Sequence, residues 1–360
     1  MDFLIEDDHK LQNFLSEISS LSEVAMDTEA DSLHCYFEKL CLIQISTSSK
    51  TVLIDPLTET NLTLLFASLR TKRVIFHGAD YDLRLLMRLG DFQTREIFDT
   101  MIAARLLGYE ELGLAALVER FFQVKLSKGS QKANWALRPL PRQMMEYAMN
   151  DTRFLLPLVK ILEEEIIRLG RQEWLRQSLE RMLYSVKNPK EKDRSKAWQI
   201  AGSAALSPAS QAILRMLWYW RDSEAREWNR PPFHVMSNSD LLKIAELAVR
   251  GAPLSISHLS PARRQRFEQT LAAALQIPEI EWPVREKFTR LRPNTQLLKK
   301  FDRLKQLRDD VAKREKLSPS IIAPKAALEA IAFQNDFSGL MDWQKALLGI
   351  PQKTENYGHY

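Results

Sequence analysis

The chain reads as an α/β domain built on a mixed sheet, followed by an all-α region. Three observations carry this expectation. Strand-like and helix-like stretches alternate through the first 170 residues, a charged, proline-containing stretch follows at 187–194, and everything beyond has helical periodicity. With 360 residues and 45% hydrophobic content, the chain has material for two or three domains with buried cores.

The elements follow in order. Glu23–Ala30 has strand composition. Leu40–Ile45 and Thr51–Asp55 are the next two strands, and the polar turn Ser46–Lys50 between them predicts an antiparallel hairpin. Arg73–His77 is a short apolar strand, and Asp82–Leu89 has helical spacing that ends at Gly90. Glu96–Thr100 is a fifth strand, before a helix Met101–Leu107 stopped at Gly108. From Pro141 to about Gly170 the pattern is one long helix disturbed at Pro157, and Gln172–Val186 closes the domain.

Lys187–Arg194 is a linker by composition. Ser207-Pro208 supplies an N-cap and first position for a helix to about Trp228, which Arg230-Pro231-Pro232 breaks. Ser239–Arg250 follows and Gly251 stops it. Leu297–Lys316, Pro324–Ala332 and Gly339–Leu348 repeat this layout loosely. The expected division is 1–186 for the α/β domain, 187–206 for the linker, 207–285 for a first helical module and 294–352 for a second, divergent one.

Composition removes several classes of function. No stretch reaches the roughly eighteen apolar residues of a membrane span, and the acidic start Met1–Asp8 lacks the order of a signal peptide. Cys35 and Cys41 are the whole cysteine complement, which argues against a disulfide framework and for a reducing cytoplasm. Their spacing with His34 matches no zinc ligand pattern. Residues 1–170 carry 19 Lys and Arg against 25 Asp and Glu, whereas residues 171–360 carry 32 against 21. An acidic half suited to cations is thus joined to a basic half suited to a polyanion, although helix surfaces also solvate such charges.

The chemistry concentrates in three stretches. Asp27 and Glu29 lie two apart on a strand and project to one face. Tyr147 and Asp151 lie four apart on a helix, only about 40° apart around its axis. Asp82 starts the helix after the Arg73–His77 strand, at the kind of strand end where open α/β sheets bind ligands. Carboxylates brought together repel by roughly 4 kcal/mol per close pair at an effective dielectric of about 20, so the cluster calls for cations. An all-carboxylate set suits two Mg²⁺ or Mn²⁺ ions, which about 4 Å apart hold the attacking water and the departing 3′ oxygen of a phosphodiester. The Tyr147 hydroxyl would orient or help deprotonate that water. Taken singly, each residue has a plainer reading as a turn, a helix cap or a packing group.

In this order and context the residues resemble the ribonuclease D family. The resemblance rests on Asp27-Thr28-Glu29 with Tyr36 and Lys39–Ile45, on Phe76–Leu83, and on Tyr147 to Asp151 with Leu155–Leu158 behind it. Trp135–Leu140 resembles the family segment just before the third motif. Residues 207 to about 280 resemble the helical module at the C-termini of ribonuclease D and certain helicases, and 294–352 a weaker copy. The resemblance implies a ribonuclease H-like fold and removal of 5′-monophosphates from RNA 3′ ends, with stable RNA precursors, especially tRNA, as substrates. It implies Asp27, Glu29, Asp82 and Asp151 as ligands of two divalent metals, with Tyr147 at the attacking water. Two positions depart from the pattern: Asn134 stands where many relatives have Asp, and Ala30 replaces a common aromatic.

The basic first module offers Arg215, Trp218, Arg221 and Arg226, with Trp228 and Arg230, as RNA contacts, and Arg138 in the α/β domain joins them. The competing reading puts the tryptophan in the core and the arginines on a solvated face. The sequence therefore predicts a cytoplasmic monomer: a metal-dependent 3′–5′ exoribonuclease acting on RNA with a free 3′ end, away from membranes. A single-strand DNA 3′–5′ exonuclease and a non-catalytic RNA-binding adaptor are its rivals, separated by digestion of matched RNA and DNA.

Overall fold

The computed structural model describes residues 3–351 apart from 128, 192, 255, 258 and 285–293. Six strands form one sheet in the order β1-β4-β3-β2-β5-β6: β1 Leu4–Asp7, β2 Glu23–Ala30, β3 Leu40–Ser46, β4 Thr51–Glu59, β5 Arg73–Phe76 and β6 Glu96–Asp99. β3 and β4 pair antiparallel with Ile45 opposite Val52, while β1–β4, β2–β5 and β5–β6 are parallel. The sheet is mixed, as the hairpin signal required.

The helices of the α/β region are α1 Asp8–Ile18, α2 Leu62–Leu69, α3 Asp80–Leu89, α4 Thr100–Leu107, α5 Leu114–Phe122, α6 Arg142–Arg153, α7 Leu155–Arg168 and α8 Gln172–Lys187. The single long helix expected from 141 to 170 is two, α6 and α7, meeting at Phe154. Pro157 explains the break. Its ring would collide with the carbonyl of Arg153, so it sits instead in the first turn of α7, where its missing N–H costs nothing. β1, α1, α2 and α5 were not anticipated.

Past the linker come α9 Pro208–Trp228, α10 Pro232–Val235, α11 Asn238–Val249 and α12 Pro261–Leu275, then α13 Thr295–Glu315, α14 Pro319–Ile322, α15 Lys325–Gln334 and α16 Asp342–Leu347. Ser207 caps α9 by accepting from the Ser210 amide at 3.1 Å, with Pro208 at the first position.

The chain forms two compact units. Among the described residues, one comprises residues 3–29, 40–189 and 294–351; the other comprises 30–39 and 190–284. The first unit is discontinuous because α13–α16 share its core. Leu328, Ile331, Leu340 and Trp343 pack in the same cluster as Ala103 and Ala104 of α4 and Leu158 and Leu162 of α7. Trp343 stacks on Trp174 of α8 with ring centroids 4.7 Å apart. Arg171 is 5% exposed and ties the layers together: its guanidinium donates to the Leu106 carbonyl at 2.7 Å and the Glu315 carbonyl at 2.8 Å, and lies 4.9 Å from the Trp174 ring. Buried guanidinium donors that found no acceptor would be expensive, so these carbonyls set the docking position. The second unit has its own core, with Leu214, Leu217, Leu241, Ala245 and Phe267 buried.

Because the core is shared, replacing Trp343 with Ala should cost about 3–5 kcal/mol and loosen the nuclease layers together with α13–α16. Hydrogen exchange checks this: protection of the β5 amides should fall with that of α15. Loss confined to α13–α16 would contradict a shared core.

Candidate active site

Three elements bring the acidic residues together. β2 presents Asp27 and Glu29 on one face, and α6 presents Tyr147 and Asp151 one turn apart. Carboxylate oxygens of Asp27, Glu29 and Asp151 all lie within 4.8 Å of one another. Asp82, in the first turn of α3, joins the same cleft, which encloses about 610 Å³ and is also lined by His77, Gly78, Gln131 and the start of α5. All five residues of the expected set therefore line one cleft.

The supporting residues were not foreseen. Thr28 points away from Asp27 and Glu29, and its hydroxyl donates to Asp82 Oδ1 at 2.5 Å. Both side chains are buried, so this contact fixes which way the Asp82 carboxylate faces. Asp99 is buried between two turns. It accepts from the amides of Gly78 (3.1 Å) and Ala79 (2.8 Å) ahead of α3, and from those of Met101 and Ile102 at the start of α4. One carboxylate thus caps α4 and holds the loop that aims Asp82. The sequence signal was an Asp just before a helix. Gly78 in that loop has φ +80°, and a Cβ there would press within 3.1 Å of the Met101 methyl. His77 donates or accepts at Thr100 Oγ1 over 2.9 Å.

The electrostatics are those of a site prepared for cations. Burial, then the charges of Asp82, Asp151 and Glu29, hold the Asp27 carboxyl well above the usual range. Burial followed by Asp151 and Asp82 pushes Glu29 to about 9. Burial lifts Asp151 to about 7, against the hydrogen bond it accepts from Tyr147. Asp82 rises to about 6 through burial, with the Thr28 hydroxyl pulling it back. Burial and then the Asp151 charge push the Tyr147 hydroxyl up. Among the described residues, no Lys or Arg lines the cleft. An all-oxygen set, converging and uncompensated, fits a hard divalent cation.

The nucleic-acid candidates divide. Arg138 donates to both Asp55 oxygens at 2.5 and 2.7 Å and to the carbonyls of Cys41, Trp135 and Leu137. Arg221 is 5% exposed and donates to the Met236 carbonyl and Asn238. Both guanidinium groups are thus engaged within the fold. Arg215 reaches the Glu281 carbonyl at 3.2 Å, Arg226 is exposed, and Trp218 is half-buried against the core of its unit.

The mixed sheet, its helices and this acidic cleft define a 3′–5′ exonuclease of ribonuclease H-like fold. A sequence model of 3′–5′ exonuclease domains matches residues 3–167, and one of HRDC domains matches 210–253. Ribonuclease D of Haemophilus influenzae is 31% identical over 319 residues, covering 86% of this chain and 79% of that protein. The catalytic core of RRP6 from Trypanosoma brucei superposes with a TM-score of 0.65 at 29% identity, covering 75% of this chain and 78% of that one. Escherichia coli RNase D, an exoribonuclease involved in structured RNA processing, shares the fold across 96% of both chains, with a TM-score of 0.69 at 24% identity. The chain belongs to the ribonuclease D family and is a 3′–5′ exoribonuclease.

Two outcomes follow from the cleft. Glu29 in the unfolded chain titrates near 4.5 but near 9 in the fold, so the native state holds the extra proton between these values. Metal-free protein should therefore lose stability as pH rises from about 5 to 9. Melting curves in EDTA should show this decline, a Glu29→Gln variant should show less of it, and Mg²⁺ or Mn²⁺ should flatten it. A flat EDTA profile would contradict the charge arrangement. Separately, Thr28→Val removes a hydrogen bond to a buried carboxylate, worth about 1.5–3 kcal/mol, and should lower kcat by about 10–100-fold with an unchanged fold by circular dichroism.

Proposed function

We propose that this enzyme shortens RNA stepwise from a free 3′ end and releases nucleoside 5′-monophosphates, with tRNA and other stable RNA precursors as its substrates. The observation that supports this best is the convergence of Asp27, Glu29 and Asp151 within 4.8 Å beside Asp82. In this reading Asp27, Glu29, Asp82 and Asp151 hold two divalent ions, Mg²⁺ or Mn²⁺. When bound, such ions supply charge neutralisation for the attacking and departing oxygens.

The side chains do the rest. Asp27 and Glu29 come from one rigid strand and Asp151 from a helix, so their spacing is set by backbone rather than by rotamers. The Tyr147 hydroxyl donates to Asp151 and faces the cleft, where it orients the attacking water. Its ring packs 6.0 Å from the buried Trp135, which limits its swing. Burial and the Asp151 charge favour the protonated phenol, which leaves its hydroxyl a hydrogen-bond donor to Asp151.

Escherichia coli RNase D, which shares the fold, is an exoribonuclease involved in structured RNA processing, and tRNA is a structured RNA. The reading places the enzyme in the cytoplasm as a monomer; Cys35 and Cys41 are both buried and form no disulfide. Among the described residues, no helix is long and apolar enough to cross a membrane. Single-strand DNA is the rival substrate, since metal-held carboxylate chemistry acts on the phosphodiester of either polymer and only contacts to the 2′-hydroxyl separate them.

End-labelled RNA resolved to one nucleotide tests the proposal. Asp27→Ala and Asp151→Ala should abolish stepwise shortening, and Tyr147→Phe should lower kcat by about 10²–10⁴-fold, the usual range for a residue acting on a transferred proton. Full activity of the pure, folded Asp variants would refute the assignment. Equal hydrolysis of a matched DNA would remove the RNA preference.

A further inference from the structure

The acidic residues account for only part of the catalytic cleft. Its lining also includes Glu111 and the start of α5, with Leu126, Ser127 and Gln131 from the stretch that joins α5 to α6. A cleft of about 610 Å³ is sized for one small ligand, here the nucleotide being removed. At a free RNA end that nucleotide presents a ribose 2′-hydroxyl, which a DNA end lacks. Such a hydroxyl both donates and accepts hydrogen bonds, so a side chain suited to read it offers both functions.

Most polar side chains of the cleft have no such capacity to spare. The Thr28 hydroxyl is committed to Asp82 at 2.5 Å, and the His77 ring to Thr100 at 2.9 Å. Tyr81 and Tyr147 are likewise engaged, the latter with Asp151. The Ser127 oxygen already accepts from the Gly129 amide at 3.3 Å. Glu111, once ionised, only accepts, and its charge would repel the phosphates. Gln131 differs from all of these: it is exposed, lines the cleft, and its side-chain amide hydrogen-bonds no described residue. That one group supplies two N–H donors and a carbonyl acceptor, all of them unspent.

The backbone around Gln131 is held in place. Ser130 is buried, and its carbonyl accepts from the Ala133 amide at 3.0 Å, closing a turn that contains Gln131. Trp135, 1% exposed, follows that turn and packs with its ring centroid 6.0 Å from that of Tyr147. The Trp135 carbonyl accepts from Arg138 at 2.8 Å, and Arg138 is fixed in turn by Asp55. The stretch carrying Gln131 is thus anchored beside the residue assigned to the attacking water.

We infer that Gln131 is a specificity-determining residue, whose side-chain amide hydrogen-bonds the 2′-hydroxyl of the 3′-terminal ribose. The inference rests on the exoribonuclease reading and deepens it: the carboxylates act on a phosphodiester of either polymer, and Gln131 supplies the preference for RNA. In the open cleft the amide is hydrated and costs nothing. Beside a deoxyribose it is enclosed without a partner, so the penalty falls on the wrong substrate.

Removal of the first nucleotide from two 5′-labelled RNA strands tests this. The strands are identical except that one ends in a single 2′-deoxynucleotide. For the parent chain with Mn²⁺, kcat/KM should fall about three- to tenfold on the deoxy-ended strand, the range of one hydrogen bond. Gln131→Ala should show the same fall on the all-RNA strand and no further fall on the deoxy-ended one. Gln131→Leu, which keeps the length without the polar atoms, should behave alike. Effects of residue and hydroxyl that simply multiply would overturn the contact, since groups that do not touch act independently. Equal cutting of both strands by the parent chain would overturn it too, while leaving the exonuclease reading intact. If the parent releases no nucleotide from either strand, the exoribonuclease reading fails and this inference with it.

Discussion

Like charges held close together in a partly buried cleft are the constraint around which this fold is organised. Asp27, Glu29 and Asp151 sit within 4.8 Å of one another, with no Lys or Arg among the described residues of the cleft to offset them. Such an arrangement opposes folding, so the surroundings must be rigid enough to impose it. The rigidity is visible: a central strand carries two of the groups, a helix carries the third, and Asp99 knots the α3 and α4 turns to hold the fourth. The local penalty is the counterpart of metal affinity, since a site relaxed without cations would gain little from binding them.

The fold was legible wherever local chemistry and tertiary structure agree. The β3–β4 hairpin, the stops at Gly90 and Gly108 and the Ser207-Pro208 start all lie where turn, cap and periodicity rules place them. The long helix was misread because periodicity continues through Phe154; only the steric demand of Pro157 on Arg153 separates α6 from α7. The short β1 strand, by contrast, is stabilised by pairing with β4. Nothing in four residues announces a partner almost fifty positions away.

The convergence of the strand pair Asp27 and Glu29 with the helix pair Tyr147 and Asp151 was legible because each spacing encodes a shared face. Their supports were not. Thr28 looks like a residue pointing into the core, and only the folded arrangement shows its hydroxyl meeting a carboxylate 54 positions later. Arginines mislead in the opposite direction. Arg138 and Arg221 sit in segments that advertise phosphate binding, yet Asp55, Met236, Asn238 and several backbone carbonyls claim their donors. A basic residue in a sequence is a ligand candidate only until its protein acceptors are counted.

The discontinuity of the first unit bears on how such a chain matures. Trp343 and its neighbours complete the layer against α4, α7 and α8, but about a hundred residues of a separate unit lie between them in sequence. Ribosomes deliver residues in order, and domains ordinarily condense as they emerge. Here the helices behind the catalytic sheet must wait, with an apolar flank uncovered, until residues near 348 leave the exit tunnel. A nascent nuclease of this design would therefore stay unfinished during translation, beside the very messenger that encodes it.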